Sequence, residues 1–166
     1  MWILIVSELA VFGAGLVAFM GVRLTDVSGF ALSQDHLNRT AGAINTIVLV
    51  SSGFAAAMAT RSDGTRRGVT RIWLGVAMVL GAVFLWVKWL EYADKARQGI
   101  DIDTNGFFTF YYLLTGFHAM HVIAGLVIFC LLLWRPSPGN VTAGAMFWHM
   151  VDLIWVLLFP ILYLVH

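Results

Sequence analysis

The sequence predicts an all-α fold, a polytopic bundle of five transmembrane helices. Three observations lead there. Of the 166 residues, 60% are hydrophobic and only 11% are charged, against roughly 25% charged in an ordinary soluble domain. Mean hydropathy is +0.86. Five separate stretches reach the length of about 20 apolar residues that a helix, rising about 1.5 Å per residue, needs to cross a hydrocarbon core of roughly 30 Å. Helix is the expected form of each, because lipid offers no partners to the unpaired edge of an open sheet.

The first span covers residues 2–22 and holds one charge, Glu8. No basic stretch precedes it, so it is expected to be retained rather than cleaved as a secretion signal. The second, residues 41–60, contains no charge. The third, residues 72–90, has Lys88 near its end, where the ammonium is expected to snorkel toward the headgroups. The fourth, residues 107–134, is longer than needed and must tilt or project. The fifth, residues 143–165, contains Pro160, which is expected to bend its last turns. Between them lie polar connections: 23–40, with Asp26, Asp35, His36 and Arg39; 61–71, with Asp63-Gly64 and four arginines; 91–105; and 135–142, where Pro136, Pro138 and Gly139 signal turns. None is long enough for a soluble domain, so residues 1–166 read as one domain. The net charge of +1 leaves no electrostatic footprint for nucleic acid. A lone cysteine, Cys130, excludes an internal disulfide and paired-cysteine zinc binding.

Orientation rests on the basic residues. Arg61, Arg66, Arg67, Arg71 and Arg135 share the N-terminal side, while Arg23, Arg39, Lys88, Lys95 and Arg97 lie on the other. The count is a tie. The density of the short arginine loop favours a cytoplasmic N-terminus and an outside C-terminus.

Ionisable residues inside a membrane are costly and face a bundle interior or a wet cavity. Here they are Glu8, His118, His121, His149 and Asp152, with Glu91 at the rim of the third span. His118 and His121 are spaced i, i+3, as are His149 and Asp152, so each pair is expected to share a helix face. Counting the helical rise from the cytoplasmic ends puts Glu8 and His149 at about 9 Å depth, Asp152 at about 14 Å and His121 at about 20 Å. One polar layer is therefore expected. Three readings of it stay open. The residues hold helices in register; or they form a lipid-headgroup or proton-accessible pocket; or they ligate a metal or haem iron.

Small residues mark candidate helix contacts: Ala14 with Ala18, Gly53 with Ala57, Ala77 with Gly81, and Thr115 with Ala119. Trp2, Trp73 and Trp134 sit where interfacial anchors belong. Trp86, Trp89, Trp148 and Trp155 read as packing residues.

The polar pattern resembles subunit III of the haem–copper oxidase superfamily, the cytochrome c oxidase subunit III family, over nearly the whole chain. Ser7-Glu8-Leu9 with Phe12 resembles the Ser-Glu-x-x-x-Phe start of that family's third helix. Asn45-Thr46, Leu49 and Ser51-Ser52 resemble its Asn-Thr-x-x-Leu-x-Ser-Ser helix. Glu91-Tyr92 is similar to the Glu-Tyr that closes its fifth. Thr115-Gly116-Phe117-His118-Ala119-Met120-His121-Val122 resembles the Thr-Gly-Phe-His-x-x-His-Val signature of its sixth. Trp148-His149-Met150-Val151-Asp152, then Trp155, resembles the Trp-His-Phe-Val-Asp of its seventh, with Met150 in place of Phe. The five spans thus resemble the family's last five helices, as in shorter bacterial relatives. The short N-terminus and the ending Phe159-Pro160-Ile161-Leu162-Tyr163 look most like the subunit III relative encoded with bacterial nitric oxide reductase.

That resemblance implies a non-catalytic accessory subunit of a bacterial nitric oxide reductase or related haem–copper enzyme. The expected location is the bacterial inner membrane. The expected partner is the catalytic subunit and the expected ligand is phospholipid, with no cofactor and no metal of its own. The implied role is assembly, stability or proton access. Glu8 matches the family's carbodiimide-reactive intramembrane carboxylate. Two alternatives remain: a true subunit III of a cytochrome c or quinol oxidase, and an independent membrane haem or metal protein using His118, His121 and His149. A small transporter is a third class.

Overall fold

The computed structural model describes residues 2–62, 67–134 and 137–165. The elements are α1 (Trp2–Arg23), α2 (Val27–Asp35), α3 (Arg39–Ser62), α4 (Arg67–Arg97), α5 (Gly106–Trp134) and α6 (Pro138–Phe159), which runs on into a π-helical turn, Pro160–Leu164. Among the described residues five helices are long and apolar enough to cross a membrane, one for each of the five predicted spans. The Asp63-Gly64 turn signal, Arg66, Arg135, Pro136 and His166 lie outside the described residues.

The differences from expectation lie at the ends of the apolar runs. The first connection contains a helix, α2, rather than loop alone. The Asp26 carboxylate caps it, accepting from the Gly29 N–H at 3.0 Å, and so satisfies a donor that the first turn leaves free. Phe30 anchors α2 by packing on Phe19 of α1 and Phe107 of α5, with ring centroids 5.5 and 5.6 Å away. Helix α4 runs well past the predicted 72–90 at both ends. Hydropathy falls where charge begins, but the backbone ladder does not stop there. Helix α6 starts at Pro138 instead of residue 143. Proline is well suited to the first helical turn because the N–H it lacks would be unpaired there. Pro160 does alter the end of α6, through a change of winding. It cannot donate to the preceding turn, and the ladder resumes with the wider spacing, Val165 N–H to Pro160 O at 3.0 Å.

The core is aromatic. Trp148 and Trp155 of α6 are fully buried, as expected of packing residues. Trp86 and Trp89 are not: they stand 64% and 68% exposed on the outer face of α4. Trp148 fits because two facing helices carry glycine. A Cβ at Gly81 or Gly125 would come within 2.7 or 2.5 Å of its ring. Helices α3 and α4 approach closely through buried Ala55, Ala56 and Ala59 on one side and Ala77 on the other, and the Ser52 hydroxyl donates to the Ala77 carbonyl at 2.7 Å. Of the small-residue pairs, Ala14 and Ala18 face outward and make no such seam.

Candidate functional site: the intramembrane polar residues

The polar side chains picked out from the sequence fall into separate places. Glu8 of α1 meets His121 of α5. His121 Nδ1 lies 2.9 Å from the Phe117 carbonyl, one turn back, and must donate to it, since a carbonyl only accepts. That leaves Nε2, 3.1 Å from Glu8 Oε2, as the only ring atom available to the carboxyl. One proton must sit between Glu8 and His121, as Glu8 O–H donating to Nε2 or as Nε2–H donating to the carboxylate. Either way the pair carries no net charge. Phe12 and Phe117 enclose the imidazole edge-on, with centroids at 5.6 and 4.7 Å.

His118 does not join this pair. It is fully buried, with its ring 5.3 Å from that of Trp155, 5.6 Å from Phe84 and 6.3 Å from Phe12. Neither of its nitrogens has a hydrogen-bond partner among the described residues. Three residues along an α-helix turn about 300°, so His118 and His121 point about 60° apart, one inward and one toward α1.

His149 and Asp152 meet on the far side, where α6 packs on α3. Their closest approach, Nδ1 to Oδ2, is 3.9 Å, too long for a hydrogen bond. Asp152 is mostly buried and Gly53 makes room for it: a Cβ there would lie 1.9 Å from Oδ2. The imidazole of His149 remains 48% exposed. Both line a shallow groove of about 390 Å³ with Val50, Phe54, Leu153 and Val156. No hydrogen bond joins this pair to Glu8 and His121 among the described residues, so the single polar layer read from depth resolves into two sites on different helix faces.

Glu91 belongs to a third place, paired with Lys88. Lys88 does not snorkel. Helix α4 continues beyond it, and the face carrying Lys88 turns into the bundle, leaving the residue 3% exposed. Its ammonium donates to Glu91 Oε2 at 2.8 Å, to the Tyr163 hydroxyl at 2.9 Å and to the Tyr111 hydroxyl at 3.1 Å. Tyr163 in turn donates to Glu91 Oε1 at 2.7 Å. The rings of Tyr111, Tyr92, Trp155 and Tyr163 stand 5.0 to 5.6 Å from Nζ, within the range where a ring quadrupole attracts a cation. An isolated buried ammonium would be strongly disfavoured, but all three of its donors are used here. The i, i+3 spacing of Lys88 and Glu91 was the available signal. Tyr111 and Tyr163 had none.

The same end of the bundle is tied by other side chains that sequence reasoning passed over. The Gln34 amide donates to the Leu162 carbonyl at 3.1 Å, in the last turn, where helix carbonyls have no intrahelical donor. Asn105 donates to the Ser33 hydroxyl at 2.9 Å, and the buried Lys95 donates to the His36 carbonyl. The motif residues of α3 tie helices as well. Asn45 donates to the Phe84 carbonyl of α4 at 3.2 Å, and the indoles of Trp148 and Trp155 donate to Ser52 and Thr46, each at 3.0 Å. Among the described residues, no three His, Cys, Asp or Glu side chains converge as metal ligands. His118, His121 and His149 point to three different places.

A family profile described as cytochrome c oxidase subunit III matches residues 1–166. A probable cytochrome c oxidase subunit 3 from Nocardia farcinica is 33% identical, over 96% of this chain and 83% of its own length. A cytochrome c oxidase subunit 3 from Corynebacterium diphtheriae is 32% identical, over 98% and 85%. A heme-copper oxidase subunit I+III from Aeropyrum pernix is 31% identical over 99% of this chain, which corresponds to 22% of that longer protein. With its five spans and its motif residues placed as helix-to-helix ties, the chain belongs to the cytochrome c oxidase subunit III family.

Proposed function

We propose that the chain is a non-catalytic accessory subunit III of a bacterial haem–copper oxidase, seated beside the catalytic subunit in the inner membrane. One observation carries the reading. Several polar side chains of the family motifs join helices, as Glu8 with His121 and Trp148 with Ser52, and among the described residues no three His, Cys, Asp or Glu side chains gather at a common centre. The Aeropyrum pernix relative supports catalytic subunit I as the partner, because its name joins subunits I and III in one protein. The relatives' names also favour the oxidase branch over the nitric oxide reductase branch. The arginine density around residues 61–71 supports a cytoplasmic N-terminus and a periplasmic C-terminus. Phospholipid is the proposed ligand of the α1 face. That helix is largely exposed, and the Glu8–His121 pair lies about 9 Å in from its start by helical rise, within reach of a headgroup region.

Affinity purification of the tagged chain from native membranes tests this. The expected companion is a haem- and copper-bearing subunit that consumes oxygen. A companion that consumes nitric oxide instead would return the assignment to the reductase branch. A Soret band on the isolated chain, or about one equivalent of iron, copper or zinc surviving chelator washing, would overturn the accessory role.

A further inference from the structure

The groove between α3 and α6 is polar at a depth where lipid has nothing polar to offer. Asp152 is about 21 Å from the Pro138 end of its helix and about 18 Å from Leu164, and Gly53 lies about 21 Å and 14 Å from the ends of α3, by helical rise. Both are near the middle of helices long enough to cross the bilayer. The groove walls are apolar and open outward: Val50, Phe54, Leu153 and Val156 are all 41% to 63% exposed. At its floor, His149 and Asp152 stand 3.9 Å apart without a hydrogen bond, and Asp152 Oδ1 is also buried without a partner.

An acyl chain lying in this groove would leave His149 and Asp152 only each other, 3.9 Å apart and without a hydrogen bond, and Asp152 Oδ1 with no partner, which is unfavourable in hydrocarbon. A phospholipid headgroup sits too far out, since half the hydrocarbon thickness is about 15 Å. A single hydroxyl, in contrast, fits the gap. Placed about 2.8 Å from each, it can accept from His149 Nδ1–H and donate to Asp152 Oδ2, using both of its functions at once. Flanking apolar side chains on a helix, spaced three or four residues either way, would meet the groove walls.

We infer that the α3–α6 groove seats a transmembrane helix of the partner subunit that presents one hydroxyl side chain, Ser, Thr or Tyr, to His149 and Asp152 at mid-bilayer depth. The inference rests on the accessory-subunit reading and adds the face and the chemistry of the contact. Gly53 is then a positioning residue. By holding the carboxylate against α3 it keeps the floor of the groove open.

Site-directed cross-linking in native membranes tests it. In a Cys130→Ser background, Phe54→Cys and Val156→Cys place a photoactivatable thiol reagent on the two walls. Val17→Cys on α1 and Val79→Cys on α4, both exposed, serve as other faces. The expected result is one discrete heterologous adduct from positions 54 and 156 and none from 17 and 79. His149→Phe should lower that adduct's yield roughly tenfold, the loss of about one good hydrogen bond. Adducts from 17 or 79 alone would overturn the groove while leaving the subunit reading standing. No protein adduct from any of the four would overturn the groove proposal and leave the subunit reading to the co-purification test. An adduct of twice the chain's mass from 54 and 156 would overturn the proposal in favour of a second copy. A yield unchanged by His149→Phe would overturn the hydroxyl contact.

Discussion

The ammonium of Lys88 donates to the hydroxyl of Tyr163, 75 positions further along the chain, at 2.9 Å. With Glu91 and Tyr111 it fastens the end of the chain to α4 and α5 inside a ring of aromatic side chains. Breaking a buried ion pair from one side strands the other charge, typically at about 3–5 kcal/mol. Lys88→Met and Glu91→Leu should each destabilise by that order. The double variant should cost clearly less than the sum, and Tyr163→Phe about 1–2 kcal/mol. Unfolding in mixed micelles measures all four. Additive losses from Lys88→Met and Glu91→Leu would show that the pair is not coupled.

Gly53→Ala is expected to be harmful only because of Asp152. A Cβ at 1.9 Å from Oδ2 must push the carboxylate away, and forcing atoms into a packed site costs about 1–3 kcal/mol. In an Asp152→Ala background the same substitution should cost no more than about 0.5 kcal/mol, the scatter of independent sites. Equal losses in both backgrounds would place the strain elsewhere.

Glu8→Gln and Glu8→Leu should differ sharply. A glutamine amide can still donate to His121 Nε2, whereas leucine leaves the imidazole with an unpartnered nitrogen, at about 1–3 kcal/mol. Glu8 and His121 should show coupling in a double-mutant cycle, whereas Glu8 and Asp152, sharing no partner, should add within about 0.3–0.5 kcal/mol. Retention of the chain in detergent-resistant complexes is the readout. Strong coupling between Glu8 and Asp152 would restore the single cluster that depth counting predicts.

Topology is open to direct labelling. In a Cys130→Ser background, Asp101→Cys should react with an impermeant thiol reagent added outside intact spheroplasts. Arg61→Cys should react only after permeabilisation. The reverse pattern would invert the proposed orientation.

What could be read from the sequence depended on whether a feature was local along the chain. Five spans were legible because length and apolarity alone set them. Helix α2 was not, because nine residues between Asp26 and His36 give little hydropathic contrast and its hold comes from Phe30 reaching α1 and α5. Depth along each helix was countable, but azimuth was not. Glu8 and His121 do meet, whereas His118 points into the core and His149 toward the outside. Lys88 was misplaced for the same reason: a lysine near the end of an apolar run looks free to reach water until the run proves to continue as helix and the residue turns inward. Its phenol partners come from α5 and from the π turn that follows Pro160, contacts that only the fold brings about.

The inward-facing Lys88 has one more consequence. Helix α4, at 31 residues and about 46 Å, is far longer than the hydrocarbon it crosses, and such a helix could otherwise slide along the membrane normal to match bilayers of different thickness. With Lys88 and Glu91 bolted to Tyr111 and Tyr163, α4 has no such freedom relative to α5 and the chain's end. These tied elements therefore meet a thinner or thicker bilayer together, answering by a shared tilt and keeping their vertical alignment for whatever docks against them.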